Sequence, residues 1–234
     1  MGSQDRKKTA LAAFHSKMRG IAFDGGNAKI GAGRVSVLFG DSTQVVIQML
    51  TIRGGLGAGE FAAYPTLGIY GGSIFNILKA SKLDGGTTYP KDLIVQGTSH
   101  ELVPTSKRGV YAFRESADVN AVVGKMVADI QKFYIPIVRG FTADYPAGVE
   151  WIVATHGAHA RKPFAMGVTL LVLAGELARV EDMITVAKGD EGFWDYHKAK
   201  DPQAMVQRIA AAAKKSGQDA VASAGGGHRK HAAT

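Results

Sequence analysis

The sequence predicts an α+β fold, with a mainly antiparallel sheet packed by an N-terminal helix and a central amphipathic helix and followed by C-terminal helices. Three observations carry that expectation. Two β-branched runs, RVSVLFG and TQVVIQMLTI, are separated only by turn formers at Gly40 to Ser42, the pattern of an antiparallel hairpin. Val119, Val122, Val123, Met126, Val127, Ile130 and Phe133 recur at three- and four-residue spacing and form one apolar helical stripe. Beyond Pro146, PFAMGVTLLVLAGELARVEDMITVAKG and DPQAMVQRIAAAAKKSG both read as helices.

Taken in order, Leu11, Phe14, His15 and Met18 share a face of a helix expected from about Lys8 to Arg19, with Gly20 as its stop. The hairpin follows. The run TLGIYGGSIFNIL is broken by Gly71 and Gly72, and reads either as one bulged strand or as a strand entering a short helix. Residues 82–108 mix Gly, Pro, Thr and Ser with short apolar runs, which predicts a long excursion or a small hairpin. GVYAFRES supplies another strand, and Ser116 or Asp118 is placed to cap the striped helix. Pro136 is expected to terminate that helix, because proline lacks an amide donor and clashes with the preceding turn, and Gly140 to release the chain. PFAMGVTLLVLAGELARVEDMITVAKG predicts a long, mostly buried helix or two joined near Gly175, with Pro163 in the first turn. Asp201 and Pro202 start a last helix that Gly217 is expected to end. This reading divides the chain into a sheet domain at 1–141, a helical part at 142–216 that is free to pack on the same core, and a disordered basic tail at 217–234.

Composition narrows the chemistry. The 234 residues are long enough to bury a core without staples, and the 30 glycines exceed the usual proportion of about 7%. There is no cysteine, so thiol nucleophiles, disulfides and Cys-ligated metals are excluded. No apolar run approaches the roughly 20 residues of a membrane span and the first residues lack a secretory apolar core, so the chain reads as cytoplasmic. The net charge of +8 sits at the ends. Residues 1–20 hold five basic and one acidic side chain, residues 198–234 seven and two, and the remainder 16 and 17. Basic ends on a near-neutral body read as solvating termini, with weak, salt-sensitive, nonspecific nucleic-acid binding as their alternative.

The stretch IRGGLGAGEFAAYP packs four glycines into six positions, and Gly57 to Ala62 fits the loose pattern GxGxx[G/A] after a strand. A dinucleotide cradle needs a helix to begin there so that its amides face the pyrophosphate. Pro65 leaves no room for one, and Asp84 lies in another Gly-rich loop, so the stretch reads as a hairpin loop and no cofactor is expected. His156 and His159 stand three apart, with Glu150, Asp144 and Glu181 as candidate third metal ligands, but Gly157 and Pro163 weaken a helix there and a loop is the plainer reading. Either imidazole has the titration range of a general base, yet no nucleophile is paired with it by spacing, and Ser99-His100 is only an adjacent pair. Arg161 and Lys162 add a small positive patch beside the histidines. Asp190, Glu191 and Asp195 among Phe193, Trp194 and Tyr196 read as a helix–helix connection anchored by aromatics. Arg208, Lys214 and Lys215 are spaced like a solvated helix face. Neither catalytic nor metal-binding residues are assigned from these patterns.

Across residues 8–141 the order of VVIQMLTI, TLGIYGG, GVYAFRES and DVNAVVGKMVADIQKFYIPIV is similar to bacterial α+β domains of unknown function, some grouped with toxin-immunity proteins. The resemblance implies a compact module that binds another protein, with no catalytic residue to transfer. The expected role is therefore non-enzymatic protein binding, immunity-like in one form, through an exposed sheet face or the 82–108 excursion. The alternatives are an enzyme with a histidine-containing site in residues 144–162 and nucleic-acid attachment through the basic ends.

Overall fold

The computed structural model describes residues 3–52, 60–83, 92–104, 110–114, 118–189 and 201–225. The fold is α+β, as the sequence predicts. The sheet runs β1 (Gly26–Gly31), β2 (Arg34–Phe39), β3 (Thr43–Ile52), β4 (Phe61–Gly71) and β5 (Leu93–Thr98) in spatial order, with β6 (Tyr111–Phe113) beside the start of β4, and all pairs are antiparallel. Alternation sends Val35, Val37, Val45, Ile47, Leu67, Ile69 and Val95 into the core. Ser42 turns the β2–β3 hairpin with a φ of 69°, and the Asp41 carboxylate accepts from the Thr43 amide and hydroxyl, both at 2.9 Å. β4 then enters α2 (Gly72–Ala80) directly, the second of the two readings of TLGIYGGSIFNIL.

Pro65 sits inside the long central strand, where a proline is normally excluded. It is tolerated because β4 has a gap in its partners on the side away from β3. There pairing with β6 ends at Ala63 and pairing with β5 begins at Thr66, while on the other side Met49 of β3, opposite Pro65, directs its amide to the Gly33 carbonyl, so no neighbouring strand needs an amide from Pro65.

Helix α1 (Ser3–Met18) buries Ala10, Phe14 and Met18 and packs on α4 (Val119–Asp129). The stripe of α4 faces the core through Val123, Met126, Val127 and Ile130, and Asp118 caps it by accepting from the Asn120 amide at 2.9 Å. Pro136 does not end this helix. Residues Ile130–Tyr134 widen into a π turn, in which the Ile135 amide donates to the Ile130 carbonyl, and α5 (Ile135–Thr142) continues beyond. The extra residue places Pro136 in the first turn of a new α segment, where a missing amide costs little.

Gly140 does not release the chain either. It is where α5 crosses α6 (Tyr145–Ala154): a Cβ on Gly148 would stand 2.2 Å from the Gly140 carbonyl oxygen, so the two backbones meet. α6 itself was not foreseen, although Asp144 caps it and Pro146 occupies its first turn. α7 (Pro163–Ala174) is buried from Pro163 to Leu171 and ends at Gly175, whose φ is 74°. After a short turn at Leu177–Arg179, α8 (Val180–Gly189) follows, so the predicted pair of helices joins at Gly175. α9 (Pro202–Gly225) packs on α7 and α2 and runs through Gly217 rather than ending there. Residues 226–234 lie outside the described residues. Buried side chains form one cluster from Ala10 to Ile209.

Residues 82–108 contain an edge strand, not only a loop. β5 pairs with β4 at the end of the sheet and leads into the short helix α3 (Ser99–Leu102).

Candidate functional site

The sheet has a second face. Its paired rows are Lys29–Ser36–Val46–Gly68–Gln96, Asn27–Leu38–Gln44–Tyr70–Leu93 and Arg34–Gln48–Thr66–Thr98, with Leu50 beside Tyr64. Leu38 is 56% exposed, Gln44 and Gln96 are exposed, and the Gln44 amide donates to the Ser36 hydroxyl at 3.0 Å. The ring of Tyr70 lies over Gly68, where a Cβ would meet the phenol at 2.5 Å, so glycine there lets the ring lie on the sheet. These rows contain amides, hydroxyls, phenols and two cations, and no carboxylate.

At β5 this face runs into a cleft of about 340 Å³ that includes Gln96, Thr98, Glu101, His159 and Arg161 in its lining. Two elements build it. After β5, Thr98 and Glu101 form a capping box: Glu101 Oε2 accepts from the Thr98 amide at 2.7 Å and from its hydroxyl at 3.0 Å. Opposite, the turn after α6 lies along the outer edge of β5, with the Gln96 amide donating to the His159 carbonyl at 3.0 Å and the Arg161 amide to the Ile94 carbonyl at 2.9 Å. The edge strand is thereby covered.

That turn needs an unusual backbone. His156, Gly157 and Lys162 have φ of 51°, 62° and 52°, and two of the three are not glycine. The Gly157 amide reaches back to the Ile152 carbonyl at 2.8 Å and closes α6. The ring of His159 lies 6.0 Å from that of Trp151, which meets Phe141 edge-on at 5.7 Å, so the imidazole is buttressed by the helical layer.

Behind the cleft wall the hydroxyl of Ser99, fully buried, bonds to the phenol of Tyr134. Burial raises the Tyr134 pKa well above the usual phenol value, and the negative fields of Glu101 and Asp129 add to it. Burial likewise raises Tyr111, with a 2.7 Å bond from its hydroxyl to Asp129 Oδ2 as the next cause. Both phenols therefore act as donors at neutral pH.

His159 enters the cleft, half-buried, while His156 is exposed on the turn. The three candidate third ligands are dispersed. Asp144 caps α6, accepting from the Ala147 amide at 3.3 Å, Glu150 faces a groove beside α8, and Glu181 accepts from Gln203 at 2.7 Å. Among the described residues no group of three His, Asp or Glu is placed to hold a metal ion. Ser99 and His100 diverge, one into the core and one to solvent. Arg161 lines the cleft and Lys162 stands at the start of α7. Residues 53–59, Asp84 and the acidic aromatic stretch 190–196 lie outside the described residues, but Ile52 pairs with Ala62, so the Gly-rich stretch joins two antiparallel strands.

Gln96 and Glu101 were not singled out from sequence. Glu101 carried a readable signal, the Thr-x-x-Glu spacing of a capping box at Thr98, but nothing local tied it to His159, 58 residues on. No helix among the described residues is long and apolar enough to cross a membrane. Compared with known proteins, the chain matches no family model, no curated protein and no solved structure, so no role is carried over from a relative.

Proposed function

We propose that the protein works by holding another protein against the open face of its sheet, without chemistry of its own. The observation that carries this reading is the make-up of that face, where the exposed Leu38 pairs with Gln44, which pairs in turn with Tyr70, and where Tyr64 lies further along β4 among uncharged hydrogen-bonding groups. Amides, hydroxyls and phenols on a stiff backbone give contact area and directional bonds at low entropy cost. The cleft at the β5 edge adds one carboxylate, one guanidinium and one imidazole, groups that would fix the register of a bound chain. An immunity-like form of this role, in which the face covers a toxic partner, is the version that the sequence resemblance of residues 8–141 would imply.

The test is a photo-crosslinking residue at Leu38 or Gln44 in the cell, with exposed Lys125 on α4 as the control position. The expected result is one protein captured only from the sheet face, whose purified form binds Leu38→Asp about tenfold or more weakly, the effect of losing one buried apolar anchor. Equal capture from all three positions, or indifference of the purified partner to Leu38→Asp, overturns the reading.

A second reading, acid–base catalysis, is favoured by one observation: His159 and Glu101 line the same cleft. It predicts that His159→Gln abolishes the chain's cellular activity while capture through Leu38 persists. Loss or survival of both together counts against it.

A further inference from the structure

Between α6 and α8, and lined by no strand residue, lies an apolar groove of about 340 Å³. Val149 and Val153 line it from α6, Met183 and Val186 from α8, and buried Leu171 of α7 forms its floor. Val153 and Val186 are 36% and 43% exposed, large apolar side chains that packing within the described residues leaves in water. Four and three residues separate the members of each pair, so each helix lines the groove with one ridge.

The rim has a sign. Glu150 and Asp182 are exposed beside the valines, while the only cation of the lining, Arg179, is bonded to Glu176 at 2.7 Å. An apolar channel with an acidic rim suits a helix whose apolar face is flanked by lysine or arginine. The chain's own Asp190 to Tyr196 stretch has three carboxylates and no cation, the wrong sign for this rim.

We propose that the groove between α6 and α8 docks a basic amphipathic helix of a partner protein, with its apolar face on Val149, Val153, Met183 and Val186 and its cations facing Glu150 and Asp182. This surface is separate from the open sheet face, so Leu38→Asp leaves it intact and the two readings fail independently.

The experiment uses the full chain and fluorescent peptides about 14 residues long, roughly four helical turns. One is an amphipathic leucine–lysine peptide, one its scrambled form, and one the leucine–glutamate equivalent. The whole protein carries +8, so bulk electrostatics favours the glutamate peptide and only a local acidic site selects lysine. The expected result is saturable binding of the leucine–lysine peptide alone, weakened about tenfold or more by Val153→Glu or Val186→Glu, as for loss of one apolar anchor. Glu150→Lys with Asp182→Lys is expected to reverse the preference toward the glutamate peptide. All four positions are at the surface, and circular dichroism checks that each variant folds. The proposal is overturned by no saturable binding, by equal binding of the lysine and glutamate peptides, or by variants that bind as the parent does. It is equally overturned by sedimentation showing that the groove is filled by a second copy, in a dimer that Val153→Glu breaks.

Discussion

The phenol of Tyr134 donates a hydrogen bond to the carbonyl of Pro65 at 2.8 Å, at the point in the sheet where neither β5 nor β6 supplies a strand. The π turn and the central proline are thus parts of one arrangement. The strand gap removes the need for an amide at Pro65, and the helix supplies the donor its carbonyl still requires. Among the described residues no buried side-chain nitrogen or oxygen lacks a partner.

Tyr134→Phe therefore leaves a buried carbonyl unsatisfied and removes the acceptor of Ser99. The expected destabilisation is about 1–3 kcal/mol, the cost of an orphaned buried polar group. Denaturant unfolding measures it, and a double-mutant cycle with Ser99→Ala should show coupling because the two hydroxyls share one chain. A change below the experimental error would remove the central role given to this bond.

Two glycine substitutions on helices should differ in sign. Gly148→Ala pushes a methyl into the α5 backbone and is expected to cost at least the roughly 1–3 kcal/mol of overpacking. Gly217→Ala on α9 meets nothing within 4 Å and is expected to add up to about 1 kcal/mol through helix propensity. Thermal midpoints of the two variants decide the matter.

Asp41 predicts an acid limb. Burial raises its pKa, but hydrogen bonds from the Ser73 amide and from Thr43 outweigh this, and the folded value lies below the ordinary one. A depressed carboxylate contributes its stability above the unfolded pKa, about 3.9, and loses it as pH falls through the lower folded value. Asp41→Ala should cost about 0.5–2 kcal/mol at neutral pH, like the loss of a cap, and should flatten the stability profile below about pH 4. An acid limb unchanged in the variant would count against this assignment.

Limited trypsin digestion probes the joint between the sheet and the later helices. Arg161 lies on a turn bonded to β5, and α5 and α6 meet backbone to backbone, so resistance at Arg161 is expected under native conditions. Rapid cutting there would mean that this turn opens independently.

Nucleic-acid binding by the ends is expected to be weak and steeply salt-dependent, and to vanish when residues 217–234 are removed. The N-terminal cluster is not a comparable tail. Arg6 is 8% exposed on packed α1 and donates to the Arg114 carbonyl. Filter binding of single-stranded DNA at two salt concentrations tests this, and salt-sensitive binding that survives the truncation would place the contact elsewhere.

What the residues by themselves determined was local. The β2–β3 hairpin, the stripe of α4, the Asp118 and Asp201 caps and the break at Gly175 each depend on neighbours within a turn or two, and periodicity and capping chemistry expose them. Tertiary structure decided the rest. Whether β5 is a loop or a strand depends on β4 offering it an edge, and whether Pro136 stops a helix depends on where the π turn places it. His159 and Glu101 line one cleft because the turn after α6 covers β5, a juxtaposition no short spacing contains. Local pattern sets what a segment prefers, whereas burial and backbone hydrogen bonds supplied from far along the chain choose among those preferences.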